Sequence, residues 1–263
     1  MAGVPQQDVR LDACVGQVGK CIGIDLNYAD DAAASGLPVP PESVDFNKWT
    51  SALCVPDDAV QIPRGSVKTD WEVEFAVVIS QGGCYITEAD AMHHVAGYCV
   101  MNDVSERDYR LNRSGTWDKG KGCDCFGSLD PWLVTADEVP DPQNLALWLE
   151  VNGKCQQKDS TATMVYQVSF LISYSIFRSI TTLGAKPQTV QACGKAKQQH
   201  VGLIWKWNYL SHFMSLQPGD VISIGKPPGV GMGQKPLVFL RAGQTMRLSV
   251  QGLGVQNQVT VSA

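Results

Sequence analysis

The sequence predicts a mainly β fold with a few short helices. Residues 67–80 and 94–102 are rich in apolar and β-branched side chains and are bounded by polar segments, a pattern that predicts two long strands. Residues 144–151 carry an apolar side chain at every second position and end at Asn152-Gly153, a pair typical of tight turns. The chain is therefore expected to build its core mainly from strands.

The remaining elements follow from the same patterns. Residues 89–93 predict a short helix that starts near Glu88, and residues 164–172 have apolar spacing loose enough for a second helix. Residues 245–261 predict a pair of strands joined near Gly252. No internal repeat is visible, so one β-rich domain is expected.

Two glutamates interrupt the first long strand. Side chains alternate between the faces of a strand, so Glu72 and Glu74 point the same way. Burying two like charges is costly unless a cation neutralises them, and carboxylates favour hard ions such as Mg²⁺, Mn²⁺ or Ca²⁺. The alternative is an exposed face on which both acids are solvated. The opposite face, expected to enter the core, carries Trp71, Val73, Phe75, Val77 and Ile79.

Two residues downstream extend this pattern. Asp103 follows the predicted strand at residues 94–102 and can complete a cage of three carboxylates. Lys121 lies in a glycine-rich loop at residues 116–127. A lysine near a metal either keeps its charge over a bound oxyanion or loses a proton and acts as a base. Singly, such residues are more often a turn residue and a surface cation, but the ordered set is more specific.

Short motifs in a fixed order accompany this set through most of the chain. They are Asn27-Tyr28, Pro38-Val39-Pro40-Pro41-Glu42, Phe46-Asn47-Lys48, residues 70–79 and 97–108, Gly120-Lys121, Pro131-Trp132-Leu133-Val134-Thr135, Val151-Asn152-Gly153, Leu216-Gln217-Pro218-Gly219-Asp220 and Pro227-Pro228-Gly229-Val230-Gly231. In this order they resemble the fumarylacetoacetate hydrolase family over about residues 20 to 254, apart from one interruption.

The resemblance implies a fold and a metal site. The fold is a mixed β-sandwich or roll, with a catalytic domain at residues 20–263 after an N-terminal extension at residues 1–19. The implied metal ligands are Glu72, Glu74 and Asp103, and the implied cofactor is Mg²⁺ or Mn²⁺, with Ca²⁺ as a third option. Lys121 is implied to assist catalysis, and family members commonly form homodimers.

The chain departs from the family at the residues that activate water. Hydrolytic members place a histidine and a glutamate shortly after the Asn-Tyr motif, where this chain has Asp31 and Ala34. Asp31 can serve as a weaker base. Since hydrolysis needs an activated water, we expect a divalent-metal-dependent enzyme that acts on a small 2-oxo or 3-oxo acid through a metal-stabilised enolate. Oxaloacetate-type decarboxylation or tautomerisation is favoured over acylpyruvate-type carbon–carbon hydrolysis. The alternative is a metal-binding relative with impaired catalysis.

Substrate contacts also differ. Arg107 is retained, but Arg110 and Lys226 replace a glutamine and a threonine of the family pattern, and Asp25 replaces a glycine. The three basic residues are expected to bind the substrate. The competing interpretation of Arg110 and Lys226 is drift in a disused site.

One segment breaks the family pattern. Residues 175–209 contain five basic residues and no aspartate or glutamate, and they interrupt a predicted helix. We interpret them as an atypical insertion, either a functional basic loop or, as we favour, an artefact of the gene model. A cut helix must recover its backbone hydrogen bonds elsewhere, so removal of the insertion is predicted to raise stability.

Length and composition agree with one soluble domain. The 263 residues are 44% hydrophobic and 18% charged, which excludes a disordered chain. The net charge of −5 argues against a nucleic-acid partner, and no apolar run is long enough for a membrane span. Nine cysteines with irregular spacing and a polar start at residues 1–10 predict free thiols in the cytoplasm, an organelle being the other option.

Overall fold

The computed structural model describes residues 12–30, 42–173 and 209–263. Its strands form a seven-stranded sheet, a five-stranded sheet and a two-stranded ribbon. The strands are β1 (Cys21–Asp25), β2 (Val44–Lys48), β3 (Leu53–Cys54), β4 (Val60–Ile62), β5 (Thr69–Asp70), β6 (Val73–Ile79), β7 (Val95–Asp103), β8 (Ser105–Glu106), β9 (Gly127–Thr135), β10 (Ala146–Val151), β11 (Lys154–Ser160), β12 (Val221–Ser223), β13 (Thr245–Val250) and β14 (Val255–Ser262).

The helices are short. Glu106 caps the first of them, because its carboxylate accepts a hydrogen bond from the Tyr109 amide (2.6 Å). The α-helices are α1 (Arg107–Asn112), α2 (Asp118–Lys121), α3 (Val168–Ile172) and α4 (Leu210–Phe213), and single 3₁₀ turns occur at Thr50–Ala52, Ala91–His94, Ala136–Glu138, Thr161–Thr163 and Gly231–Gly233.

The seven-stranded sheet has the order β2-β1-β12-β6-β7-β9-β3. Strands β1 and β12 are parallel, while β6 is antiparallel to both of its neighbours, β12 and β7. The carboxyl ends of β1, β12 and β7 therefore lie beside the amino end of β6. This row of four strand ends is where the candidate site forms.

The core lies on both faces of the seven-stranded sheet. On one face Phe75 and Val77 of β6 pack in one apolar cluster with Leu147 and Leu248 of the five-stranded sheet. On the other face a smaller cluster includes Ala76, Val78, Cys99, Met101 and Leu129. All seven residues of β6 are buried, so this strand is internal on both sides.

The predicted mainly β fold with a few helices is confirmed. The strands predicted at residues 94–102, 144–151 and 245–261 are present, the last as the antiparallel pair β13–β14. The single strand predicted at residues 67–80 is divided into β5 of the two-stranded ribbon and β6 of the seven-stranded sheet. The helix predicted at residues 89–93 is a 3₁₀ turn at Ala91–His94. The helix predicted at residues 164–172 is shorter, Val168–Ile172, because the Val165 amide bonds instead to the Asn27 carbonyl (2.7 Å).

The proposed insertion at residues 175–209 lies outside the described residues except for its last member. Tyr209 is buried, its hydroxyl donates to Asp45 (2.7 Å), and its amide donates to the Phe170 carbonyl at the end of α3 (3.3 Å). Whether the segment is foreign to the fold stays a prediction.

Within the described ranges, every helix is too short or too polar to cross a membrane.

Candidate active site

Three carboxylates converge at the row of strand ends. Glu72 directly precedes β6 and Glu74 is the second residue of that strand. Asp103 ends the neighbouring strand β7, where its amide donates to the Glu72 carbonyl (2.9 Å). One ligand oxygen from each carboxylate lies within 4.8 Å of the others. The exposed fractions of these residues are 1%, 2% and 0%, so the alternative of two solvated acids on an open strand face is wrong.

Lys121 supplies the cation closest to this group. It lies at the end of α2, and its ammonium contacts one oxygen of Asp103 and, at 2.5 Å, Oε2 of Glu72. The ammonium also lies 4.8 Å from the centroid of the Phe46 ring. Because the side chain is 1% exposed, its charge is held between two carboxylates in a water-poor setting.

Lys48 is a second buried cation at the site, and no role was predicted for it. Its ammonium donates to Oδ1 of Asp103 (2.7 Å) and to the backbone carbonyl of Lys121 (2.5 Å). It therefore links a carboxylate of the cluster to the helix that carries Lys121. The only sequence signal was its place in the motif Phe46-Asn47-Lys48.

Arg107 orients the first glutamate. Its guanidinium hydrogen-bonds to Asp70 through Nε (2.9 Å) and forms an ion pair with Glu72 through Nη1 (2.7 Å). Asp70 is fixed in turn by the amides of Gly231 (2.7 Å) and Met232 (3.0 Å). The predicted substrate contact of Arg107 stays a prediction, since the contacts seen here are with these two acids.

The pKa values of Glu72 and Glu74 are shifted in opposite directions. Burial acts to raise the pKa of Glu72, but Lys121 and Arg107 lower it to about 2. Burial, together with the charges of Asp103 and Glu72, raises the pKa of Glu74 well above its ordinary value. Of the three carboxylates, Glu74 is the one whose ionised form an added cation would stabilise most.

Backbone geometry fixes Glu74. Its Oε2 accepts hydrogen bonds from the Ser223 hydroxyl (2.5 Å) and the Gly225 amide (3.0 Å). Gly225 has φ +92°, and a Cβ there would lie 3.0 Å from the Ile24 carbonyl, so a larger residue would disturb this bond.

A third group of charges lies at the ends of β1 and β12. Asp25 forms ion pairs with Lys226 (2.9 Å) and Arg110 (3.2 Å), and the Lys226 ammonium is also 3.9 Å from Oε1 of Glu72. Burial acts to raise the pKa of Asp25, but Lys226 and Arg110 together lower it below its ordinary range. The Arg110 guanidinium also stacks on the Trp117 ring at 4.1 Å from its centroid.

Buried amides connect the site to the second sheet. Gln157 accepts a hydrogen bond from the Val73 amide (3.0 Å) and donates to the Pro227 carbonyl (2.8 Å). Asn102, next to Asp103, donates to Gln258 (2.7 Å). These bonds fix the strand ends that carry the carboxylates and Lys226.

The donor set fits a divalent ion. All three candidate ligands are carboxylates, which suit hard ions such as Mg²⁺ and Mn²⁺. Burial and the charges of Asp103 and Glu72 raise the pKa of Glu74, so a cation bound beside it would favour its ionised form. The residues present can therefore hold a divalent metal, and a metal bound there would contact Glu72, Glu74 and Asp103.

The structure brings together every predicted site residue that it describes. Arg107, Arg110, Lys121 and Lys226 all lie against the carboxylate cluster or the Asp25 group. Asp31, the predicted weak base, lies outside the described residues, so its role stays a prediction. Asp70 and Ser223 were missed because an isolated acid or serine beside a strand carries no specific signal.

Comparisons with known proteins agree with this architecture. A protein of Burkholderia multivorans (strain ATCC 17616 / 249), provisionally named a hydrolase, is 53% identical over 255 residues, which cover 97% of this chain and 78% of that protein. The crystal structure of 5-carboxymethyl-2-hydroxymuconate delta-isomerase from Mycobacterium smegmatis matches with a TM-score of 0.75 and 30% identity, over 99% of this chain and 85% of that one.

A fumarylacetoacetate hydrolase from psychrophilic Exiguobacterium antarcticum is also similar, with a TM-score of 0.75 and 28% identity over 98% of this chain and 80% of that one. The family model described as Fumarylacetoacetate (FAA) hydrolase C-terminal matches residues 20–186 and 189–261. The folds, the motifs and the extent of these matches lead to one conclusion: this chain belongs to the fumarylacetoacetate hydrolase family.

Proposed function

We propose that the protein is a divalent-metal-dependent enzyme that decarboxylates or tautomerises a small 2-oxo or 3-oxo acid, with oxaloacetate as the model substrate. The observation that carries the proposal is the convergence of three buried carboxylates, one of which has a strongly raised pKa, beside the Lys121 ammonium. Relatives of known structure named as an isomerase and as a hydrolase support the general class.

The metal and the lysine have separate tasks. A metal held by Glu72, Glu74 and Asp103 would supply a Lewis acid for the carboxylate and keto oxygens of a 2-oxo acid. Lys121 keeps a positive charge beside the same oxygens, where it stabilises the enolate that forms when a bond next to the keto group breaks. Burial strengthens this interaction because water does not screen it.

The other cations of the site keep the geometry in place. Lys48 positions Asp103 and the Lys121 backbone, and Arg107 positions Glu72. Both decarboxylation and keto–enol exchange then require a proton at the α-carbon rather than an activated water. Lys121 is the nearest described donor to the carboxylate cluster and is assigned that proton transfer.

Hydrolysis of a carbon–carbon bond is the competing activity. It needs a base that activates water, and the chain has Asp31 and Ala34 where hydrolytic relatives carry histidine and glutamate. This replacement favours the lyase or isomerase reaction.

The test compares two substrates with and without Mg²⁺ or Mn²⁺. Oxaloacetate consumption that depends on the metal, with little acylpyruvate cleavage, is the expected result. Cleavage of acylpyruvate alone would establish the hydrolase instead.

A separate measurement distinguishes an enzyme from a metal-binding relative that has lost catalysis. A ligand that binds only the folded protein raises its melting temperature. Mn²⁺ should raise it, and oxalate, a mimic of the enolate, should raise it further. A response to Mn²⁺ without a response to oxalate, together with no turnover, would contradict the proposed function.

A further inference from the structure

Three departures from the family pattern meet at one point of the structure. Asp25, Arg110 and Lys226 come from β1, α1 and the segment after β12, yet they form a single group of ion pairs, which we call the Asp25 triad. Each member is less than one-tenth exposed. Independent drift would not be expected to introduce an acid and two bases in mutual contact, so the three replacements act together.

The Asp25 triad has more donors than it can satisfy. Nε and Nη1 of Arg110 are buried and have no hydrogen-bond partner among the described residues. Leaving buried charged donors unpaired is costly, so their natural partner is an acceptor that enters the site. The guanidinium is held ready for it by the Trp117 ring on one side and by Asp25 on the other.

The charge of the whole site points to the kind of acceptor. Five buried acids and five buried bases make up the carboxylate cluster, the Asp25 triad and their ion-pair partners: Asp25, Asp70, Glu72, Glu74 and Asp103, with Lys48, Arg107, Arg110, Lys121 and Lys226. Two further buried acids, Glu106 and Asp220, have their partners outside this group. With the five acids and five bases ionised the site is neutral, and a divalent ion adds two positive charges. A dianionic substrate would restore neutrality, whereas a monoanion would leave a buried positive charge.

The Asp25 triad lies beside the carboxylate cluster, so the two ends of such a substrate would bind at different places. Lys226 lies between Asp25 and Glu72, so the triad borders the carboxylate cluster on the side of β12 and β1. The 2-oxo acid end belongs at the metal, and the far end of the molecule extends toward Arg110. A buried arginine suits a carboxylate because its charged N–H groups donate strong hydrogen bonds to it.

Building on the proposed function, we propose that Arg110 and Lys226, tied together by Asp25, bind a second carboxylate and make the enzyme selective for dicarboxylic oxo acids. Arg110 is the residue that determines this specificity. Asp25 is a positioning residue: it holds both cations, and its own negative charge would repel a carboxylate of the substrate.

The test measures binding to the Mn²⁺-loaded protein by calorimetry with stable ligand pairs of equal chain length. The pairs are 2-oxoglutarate with 2-oxopentanoate, and 2-oxoadipate with 2-oxohexanoate. We expect the dicarboxylate of at least one pair to bind about tenfold or more tightly, as one well-placed charged hydrogen-bond pair allows. Arg110→Gln should reduce the ratio to less than about threefold, and Arg110→Lys should keep part of it.

Oxalate is the internal standard, since it reaches the metal but not the triad. It should still bind to Arg110→Gln with the wild-type stoichiometry, which shows that the variant is folded and loaded with metal, and its affinity should fall less than that of the preferred dicarboxylate. Arg113→Gln, a matched change at an exposed arginine beside the same helix, should leave every ratio unchanged.

The outcomes separate the two proposals. If oxalate binds but neither pair shows a preference, or Arg110→Gln keeps the preference, the second-carboxylate site is overturned and the proposed function stands. If oxalate does not bind to the Mn²⁺-loaded wild-type protein, both are overturned.

Discussion

The Lys48 ammonium lies 2.7 Å from Oδ1 of Asp103 and donates a second hydrogen bond, at 2.5 Å, to the carbonyl of Lys121. One buried side chain thus holds a candidate metal ligand and the helix end that carries the candidate catalytic lysine. Coupling of this kind means that the two cannot move independently.

Replacing Lys48 by methionine keeps most of the side-chain volume and removes the charge. Asp103 then loses a buried partner, which should lower the free energy of unfolding by about 3 kcal/mol in metal-free protein. Saturating Mn²⁺ should recover more stability in the variant than in the wild type, because the ion replaces the missing cation. Urea unfolding with EDTA or Mn²⁺ measures both effects, and Lys154→Met, at an exposed strand position, is the control. An equal Mn²⁺ effect in both proteins would contradict the coupling.

The two strand glutamates should respond differently to the same substitution. In metal-free protein near pH 6, Glu72→Gln breaks buried ion pairs with Lys121 and Arg107 and should cost about 3 kcal/mol. Glu74→Gln should cost less, since burial and the charges of Asp103 and Glu72 raise the pKa of Glu74 and a neutral amide avoids both penalties. Both variants should lose Mn²⁺ binding by calorimetry. Equal destabilisation of the two would show that Glu74 is ionised and paired.

The same contrast predicts a pH dependence. Glu74 has a raised pKa in the folded protein, so above its ordinary value of 4.5 the unfolded chain releases a proton that the folded protein retains. Stability therefore falls as pH rises, by up to about 1.4 kcal/mol per pH unit. Glu72 acts in a separate window, because its stabilisation is lost as pH falls from 4.5 toward 2. Urea unfolding in EDTA between pH 5 and 8 should show wild type losing stability relative to Glu74→Gln, and parallel curves would refute the assignment.

Gln157 tests the link between the sheets. Gln157→Met leaves the Val73 amide and the Pro227 carbonyl without their partners, so we expect a loss of about 2–4 kcal/mol in unfolding free energy. The matched change Gln61→Met, at an exposed strand position, should have little effect. A loss no greater than that of the control would mean that water replaces the amide.

Removing residues 175–208 while keeping Tyr209 tests the proposed insertion. The Tyr209 amide lies 3.3 Å from the Phe170 carbonyl, so the chain on the two sides of the segment is close enough for a short connection. We expect a higher melting temperature and a higher soluble yield than for a variant with a glycine-serine linker of equal length. An unfolded deletion variant would show that the segment belongs to the fold.

The sequence predicted the strands and the acidic cluster because both follow from alternation. Glu72 and Glu74 share a face on any strand, and the apolar residues at the alternate positions then enter the core, as Val73, Phe75 and Val77 do. Asp103 was found from its place at the end of the next strand. The shared face of Glu72 and Glu74 needs no knowledge of which strands are neighbours, whereas Asp103 as a third ligand was implied by the family resemblance.

The contacts that the sequence did not predict depend on which strands are neighbours in the sheet. Asp25 and Lys226 are about 200 residues apart along the chain, and only the parallel pairing of β1 with β12 brings them together. The role of Lys48 depends on the reach of a long side chain to β7, which no periodic pattern encodes. Ion pairs between distant segments therefore required the structure.

The hydrogen-bonded amides between the two sheets have a consequence for how specificity can change. Sliding one sheet past the other would break the bonds of Gln157, Gln256 and Gln258 at once, which contacts between aliphatic side chains alone would not prevent. The positions of Glu72, Glu74 and Asp103 are therefore little affected by substitutions at neighbouring positions. A new substrate preference can arise through exchanges such as those at positions 25, 110 and 226 without any shift of the three acids.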